Sequence, residues 1–281
     1  MTLENMYARV YVEITNVCNK NCSFCHKTKR TPRQMSMGEF TLICEKLSGI
    51  TEYLYLHVMG EPLMHPLIGD FISYATKRGF KVAVTTNGSL LDKFGQKIID
   101  AGVYKVNISL HSFESGELSE HKQYIDSCLD FADNASKSGV LTILRLWNGG
   151  VTDTLNCEVT DLLHKKFPDE WNVGKRGARI RNKLHLEYGE RFEWPDISSD
   201  NMGEDLFCYG LSDHFGILSN GQVIPCCLDS DGIIDLGNIY TDDIKRILTS
   251  RRACAMCDGF SHKKATEELC QKCPYARRFK I

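Results

Sequence analysis

The sequence predicts an α/β fold: a parallel sheet, open or closed into a barrel, followed by a small cysteine-rich region. Three observations predict it. Strand-like and helix-like stretches alternate through the first two-thirds of the 281 residues, the pattern of a parallel sheet covered by helices. The chemically distinctive runs stand directly after strand-like ones: "NVCNKNC" after the first, "GEP" after the second, "TNG" after the third. Parallel α/β folds bind ligands at those strand ends. The thirteen cysteines are also unevenly placed. Cys18, Cys22 and Cys25 lie near the start, and Cys44, Cys128 and Cys157 stand singly. Cys208, Cys226, Cys227, Cys254, Cys257, Cys270 and Cys273 crowd the last quarter.

The elements follow in order. "ARVYVEIT" (8–15), "EYLYLHVMG" (52–60), "KVAVTTNG" (81–88), "VYKVNISL" (103–110) and "LTILRLW" (141–147) are rich in β-branched and aromatic residues and read as strands. The first helix reads from "SMGEFTLICEKLSG", with Ser36 as N-cap and Glu39 at the capping-box position. "HPLIGDFISYATKRG" gives a second helix ending at Gly79, and a further helical stretch covers roughly 117–138. "GKRGARIRNK" (174–183) is the basic run, and "YGERFEWPDISSDN" beyond it reads as a connection. The expected organisation is a first domain over 1–190, a linker over 191–204 and a smaller domain over 205–281.

Composition narrows the function classes. Hydrophobic residues make up 42% and charged residues 25%, an ordinary globular balance. A formal charge of −2 gives no reason to expect nucleic acid or an acidic membrane as partner. No apolar run approaches the ~18 residues of a bilayer span. "MTLENMYARVYVEI" lacks the basic–apolar–small pattern of an export signal. The expected location is therefore the cytoplasm, where stable disulfides are rare, and thirteen cysteines there point to metal.

Reduced thiolates are soft ligands, suited to zinc or to iron–sulfur clusters. A structural zinc knuckle usually brings two ligand pairs, and no second pair follows Cys25 closely. His26 as a fourth ligand would adjoin Cys25 and strain a tetrahedral site. The spacing Cys18-x3-Cys22-x2-Cys25, with Phe24 before the last cysteine, resembles the signature of the radical S-adenosylmethionine (radical SAM) enzymes. The resemblance implies a [4Fe–4S] cluster on three thiolates, its fourth iron chelated by S-adenosylmethionine.

"HVMGEPLMHP" (57–66) resembles the family's GGEP segment, with Met59 where the first glycine often stands. The resemblance implies that Gly60, Glu61 and Pro62 hold the cofactor's ammonium. Physically, Gly60 lets the main chain approach closely, Glu61 offers a charge-assisted acceptor and Pro62 stiffens the turn. Asn87, Ser109 and Arg145 resemble positions that contact the cofactor's ribose or carboxylate. Arg145 is equally suited to pairing with a barrel acid. His57, His111 and Asn148 stand near strand ends and are candidates to face substrate, though none is assigned a catalytic role.

The last quarter carries a second resemblance. Cys208-x12-Gly221-x4-Cys226 and the closing Cys270-x2-Cys273 are similar to the SPASM or shorter twitch extensions of radical SAM enzymes. "FGILSNGQVIPC" reads as a hairpin with Asn220-Gly221 as its turn, and "TDDIKRILTSRRACAM" as a helix capped by Thr241 or Asp242. The resemblance implies one auxiliary [4Fe–4S] cluster on Cys208, Cys226, Cys270 and Cys273. A zinc ribbon on the same thiols is the alternative. Cys254 and Cys257 read as residues of a buried helix, and Cys227, next to Cys226 on a strand, as pointing away.

Together the resemblances imply a partial (β/α)6 TIM-type barrel with a small C-terminal iron–sulfur domain. They imply reductive cleavage of S-adenosylmethionine, hydrogen abstraction from substrate, and net oxidation or cross-linking aided by the auxiliary cluster. The electron donor would be a flavodoxin or ferredoxin. The expected substrate is a small polar molecule, as in the aminocyclitol-alcohol dehydrogenases, whose compact size and single-cluster extension match best. A peptide or protein side chain is the alternative. RNA rests only on the basic run, which lacks interleaved aromatics. A rival of another class is an iron–sulfur electron carrier or zinc-binding module, which would need no "GEP" segment.

Overall fold

A computed structural model describes residues 7–112, 121–148 and 154–279. The elements run β1 (Arg9–Val12), α1 (Met37–Leu47), β2 (Tyr53–Tyr55), α2 (Ile68–Lys77), β3 (Lys81–Thr86), α3 (Leu91–Asp100), β4 (Lys105–Ser109), α4 (Lys122–Lys137) and β5 (Leu141–Leu146). There follow α5 (Thr154–Lys166), β6 (Asn172–Gly174), β7 (Gly177–Arg181), β8 (Leu184–Tyr188), β9 (His214–Ile217), β10 (Val223–Ile224), α6 (Ile244–Leu248), α7 (Arg251–Ser261) and α8 (Glu268–Gln271). All ten strands share one sheet, ordered β10-β9-β1-β2-β3-β4-β5-β8-β7-β6. The six from β1 through β5 to β8 are parallel, which gives the partial six-stranded barrel.

Strand alternation divides the side chains between two faces. Val10, Val12, Leu54, Val82, Val84, Val106, Ile108, Leu144 and Leu146 are buried beneath the helices, each worth about 1.5–3 kcal/mol of burial. Their neighbours Arg9, Tyr11, Tyr55, Thr85, Lys105, Asn107, Ser109 and Arg145 line the barrel lumen. The helices close the outer layer. α1 begins in the expected capping box, in which Ser36 Oγ accepts from the Glu39 amide and the Glu39 side chain accepts from the Ser36 amide. Its buried Phe40 stacks on Phe71 of α2, ring centroids 4.4 Å apart. The third expected helix is α4, and residues 117–120 of that expectation lie outside the described residues.

Several expectations are corrected. The strand expected over 52–60 ends at Tyr55, and the chain then leaves the sheet as the loop carrying Gly60 and Glu61. The basic run forms the antiparallel ribbon β6–β7 beside β8. The hairpin turn has three residues rather than Asn220-Gly221 alone. Gly221 N donates to Leu218 O at 2.8 Å, Leu218 N donates to Gln222 O at 2.9 Å, and Gly221 sits at φ +86°, a type I turn closed by a left-handed residue. The single helix expected from Thr241 or Asp242 is two. Asp243 caps α6 and Ser250 caps α7, and the extended backbone of Ser250 breaks the run.

The cysteine-rich segment is not a separate layer. β9 pairs with β1 in parallel register, and β10 folds back on β9, so the extension continues the barrel sheet. Residues 191–204 form no regular helix or strand, yet Trp194 Nε1 donates to Phe24 O at 3.1 Å and Phe192 packs on Tyr275. Among the described residues no helix is long and apolar enough to cross a membrane.

Candidate cofactor and substrate site

The loop carrying Cys18, Cys22 and Cys25 leaves the C-terminal end of β1 and rejoins the fold at α1. With little secondary structure of its own, it is held from both ends. Asn16 N donates to Arg33 O, the Asn16 side chain accepts from Arg33 N, and its amide donates to Thr31 O at 3.0 Å. The Arg30 guanidinium forks onto Glu13 at 2.8 and 2.6 Å. Glu13, 0% exposed, also accepts from the Met59 amide and from the amide and hydroxyl of Ser219. Four segments distant in sequence thus meet on one carboxylate. Burial pushes the Cys18 thiol up, while the Lys20 amide and the Asn87 side chain, donating to its sulfur at 3.4 and 3.8 Å, pull it down. Such donors favour the thiolate that a cluster needs.

The "GEP" segment is tied to the cysteine loop and to β3. Gly60 sits at φ +78°, and a Cβ there would meet Thr15 O at 2.5 Å. The close approach it permits within the fold is to the chain entering the cysteine loop. Glu61 N donates to Val17 O at 2.9 Å, which ties the two loops together. The Glu61 carboxylate is 2% exposed and accepts from Thr86 Oγ1, Leu63 N and Asn87 N at 2.7, 3.0 and 2.7 Å. Burial pushes its carboxyl up against these donors. Pro62 opens a short 3-10 turn over Pro62–Met64.

The remaining expected cofactor contacts lie across the lumen mouth. Phe24 packs on His111, ring centroids 5.1 Å apart, and Lys20 Nζ donates to Ser112 O, so the cysteine loop reaches the end of β4. Ser109 lines the lumen. Of the two uses open to Arg145, the structure shows the barrel acid: its Nε donates to Glu187 at 3.2 Å, and its guanidinium lies over Trp147.

One cavity of about 570 Å³ runs from the lumen to the extension. Its far wall holds Cys208, Cys226, Cys270 and Cys273 together. Hairpin β9–β10 brings Cys226 back toward Cys208, and α8 delivers the last two. Burial pushes all four thiols up, so a positive metal charge is what would draw off their protons. A zinc ribbon would gather its sulfurs about 2.3 Å from one ion. Four thiols on one wall are a soft donor set of the kind that zinc or an iron–sulfur cluster takes. Cys254 is exposed, and Cys257 Sγ donates to Leu211 O at 3.7 Å outside this wall. Cys227 corrects an expectation. The strand ends at Ile224, so alternation no longer governs Cys227, which lines the same cavity and bonds with the Tyr11 side chain.

His57 and His111, read as candidates to face substrate, both line the cavity; the Asn148 side chain accepts from Asn156 Nδ2 at 2.7 Å. Tyr11, Tyr55, Lys105, Asn107 and Trp147 were not singled out by sequence reasoning. The signal was present: in "VYKVNISL" the polar Lys105, Asn107 and Ser109 alternate with apolar residues, the mark of a strand with one polar face.

Two family models match the chain. Residues 12–154 match the model of the Radical SAM superfamily, and residues 208–274 match the SPASM model, an iron–sulfur cluster-binding domain. A Methanococcus maripaludis (strain DSM 14266) protein described as "Probable GTP 3′,8-cyclase" is 32% identical over 273 residues, spanning 84% of this chain and 92% of its own. The GTP 3′,8-cyclase of Alkaliphilus metalliredigens is 26% identical over 274 residues, spanning 84% and 85%. Among solved structures, BtrN in complex with AdoMet and 2-DOIA superposes with a TM-score of 0.62 at 18% identity, covering 96% of this chain and 94% of that one. The structure of anSMEcpe with AdoMet and the Cp18Cys peptide gives 0.61 at 13% identity, covering 96% and 87%.

Proposed function

Because the chain belongs to the radical SAM superfamily and carries its SPASM iron–sulfur domain, we propose that it abstracts a hydrogen atom from a small polar molecule and completes a net oxidation or cross-link. Its cofactors are S-adenosylmethionine, the [4Fe–4S] cluster that binds it, and an auxiliary iron–sulfur cluster. The cofactors supply a 5′-deoxyadenosyl radical and a place for the electron that the substrate gives up. In this reading Cys18, Cys22 and Cys25 hold the first cluster, and Cys208, Cys226, Cys270 and Cys273 the second. Gly60, Glu61 and Pro62 hold the ammonium of S-adenosylmethionine while tying their loop to the cysteine loop. Asn87 steadies Cys18. Phe24, His111 and Trp194 shut water from the mouth, while Ser109 and Arg145 face the bound molecules.

The observation that carries this proposal is the single cavity joining lumen and thiol wall. A molecule in the lumen lies directly against the auxiliary site, so its electron has no protein layer to cross. A cavity of this size suits a small molecule, in line with the BtrN complex. The cyclase relatives favour a second reading, a guanine nucleotide rearranged without net oxidation. A nucleoside triphosphate, however, brings several negative charges to a lumen whose arginines already pair with acids.

The test is anaerobic incubation of cluster-replete protein with S-adenosylmethionine and dithionite, together with small polyols, GTP or peptides. The expected result is 5′-deoxyadenosine even without substrate, increased by a polyol that loses two hydrogens. A cyclised nucleotide from GTP would establish the second reading. No 5′-deoxyadenosine from fully reduced protein would leave the electron-carrier reading.

A further inference from the structure

Inside the barrel lie polar groups that the fold does not use. Buried side-chain atoms of His57, Asn107 and Trp147, all lining the lumen, lack a hydrogen-bond partner among the described residues. Asn107 is 0% exposed, and its amide donates to Thr85 Oγ1 at 3.0 Å, which leaves the carbonyl Oδ1 unmatched. Leaving such an acceptor buried and unpaired costs the full desolvation of the group. A wall carrying three of them is built to meet something.

The charges are unbalanced in the same place. Arg9 pairs with Asp213 at 2.7 Å and Arg145 with Glu187 at 3.2 Å. Lys105 lines the lumen beside Tyr55, its ammonium 5.9 Å from that ring, and forms no ion pair among the described residues. Burial and the Arg145 charge push its pKa down, and burial pushes His57 down to about 3, a neutral imidazole. His214 leans on Asp213, and burial also lowers His185. Asp229, the other acid lining the cavity, accepts from the Ile233 and Ile234 amides, so Lys105 is the lining lysine or arginine without an ion pair among the described residues.

The arrangement has a direction. Lys105, Asn107 and Ser109 stand two residues apart on one face of β4, at steps of about 6.6 Å. Ser109 is level with Arg145 and lies at the end that the cysteine loop reaches. Lys105 is at the opposite end.

We infer that the substrate carries a single anionic group, a carboxylate or a phosphate, which docks on Lys105 at the lumen floor. One step up, a hydroxyl or amine of the substrate donates to Asn107 Oδ1, and an acceptor meets the Trp147 indole N–H. The carbon to be oxidised then stands near Ser109, at the cofactor end. This rests on the small-molecule reading above. It adds the charge of the substrate and the end by which it is held.

The experiment uses the full chain with both clusters assembled and S-adenosylmethionine bound. Glucose, gluconate and glucose 6-phosphate are titrated calorimetrically, with inorganic phosphate and GTP in parallel. At least one of gluconate and glucose 6-phosphate should bind about tenfold more tightly than glucose, and the preferred one identifies the anion. Lys105→Met should erase that preference and Lys105→Arg should keep it; Asn107→Leu should weaken the hydroxylated anions but not inorganic phosphate. Equal binding of glucose and both anions, binding of none of them, an undiminished preference in Lys105→Met, or GTP binding tightest and indifferent to Lys105 would each overturn the inference. Wild-type 5′-deoxyadenosine formation is measured separately. Its absence overturns the function proposed above, whereas the titrations test only the lumen.

Discussion

Glu61 is fixed by its surroundings before any ligand arrives. A carboxylate in a "GEP" loop invites a ligand, and here two backbone amides and a buried hydroxyl already hold it in place. Truncation would strand three buried donors, so Glu61→Ala should destabilise the fold by about 3 kcal/mol. Because Glu61 N also holds Val17 O, the disturbance should reach the cysteine loop and lower iron content at the first cluster. Thermal unfolding and iron analysis check this. A variant with wild-type stability and iron but weak S-adenosylmethionine binding would confine Glu61 to direct ligand contact.

Among the elements, α7 and α8 offer competing Cys-x2-Cys pairs. α7 buries Ala253, Met256 and Phe260 and leaves Cys254 outside, while α8 ends in the cavity with Cys270 and Cys273. Cys254→Ala/Cys257→Ala should therefore retain about eight irons per chain, the content of two cubanes, and Cys270→Ala/Cys273→Ala should retain about four. The opposite pattern would place the auxiliary cluster on α7. What was legible at this scale was local. The Ser36–Glu39 box and the cysteine triplet are each contained in a few consecutive residues and could be read directly. The break between α6 and α7 was hidden because "ILTSRRA" keeps helical apolar spacing across Thr249 and Ser250. Only the extended backbone of Ser250 ends the pattern.

For the whole molecule the decisive group is Glu13, whose partners lie 17, 46 and 206 positions away. No periodicity or motif reports such a junction, because its parts become neighbours only when the sheet closes. The same holds for Cys227 beside Tyr11. Arg30→Met would leave the Glu13 charge buried without its cation, a loss of about 3–5 kcal/mol. Arg30→Met/Glu13→Gln should recover much of it by removing both charges. Melting temperatures of the two variants test this, and a double variant no more stable than the single would show that the pair acts by shape rather than charge.

The Glu13 junction also bears on how the protein is made. The cysteine triplet leaves the ribosome early, but the groups that order its loop come from the far end of the chain. Ser219 bonds Glu13, Ser230 O accepts from Arg30 Nε, and Asp231 accepts from Thr28 and Lys29. Until those residues are synthesised, the loop has only its nearer anchors, such as Asn16 to Arg33 and Glu61 N to Val17 O. Full ordering of the first three thiols therefore waits for residues 219–231, about two hundred positions further along the chain.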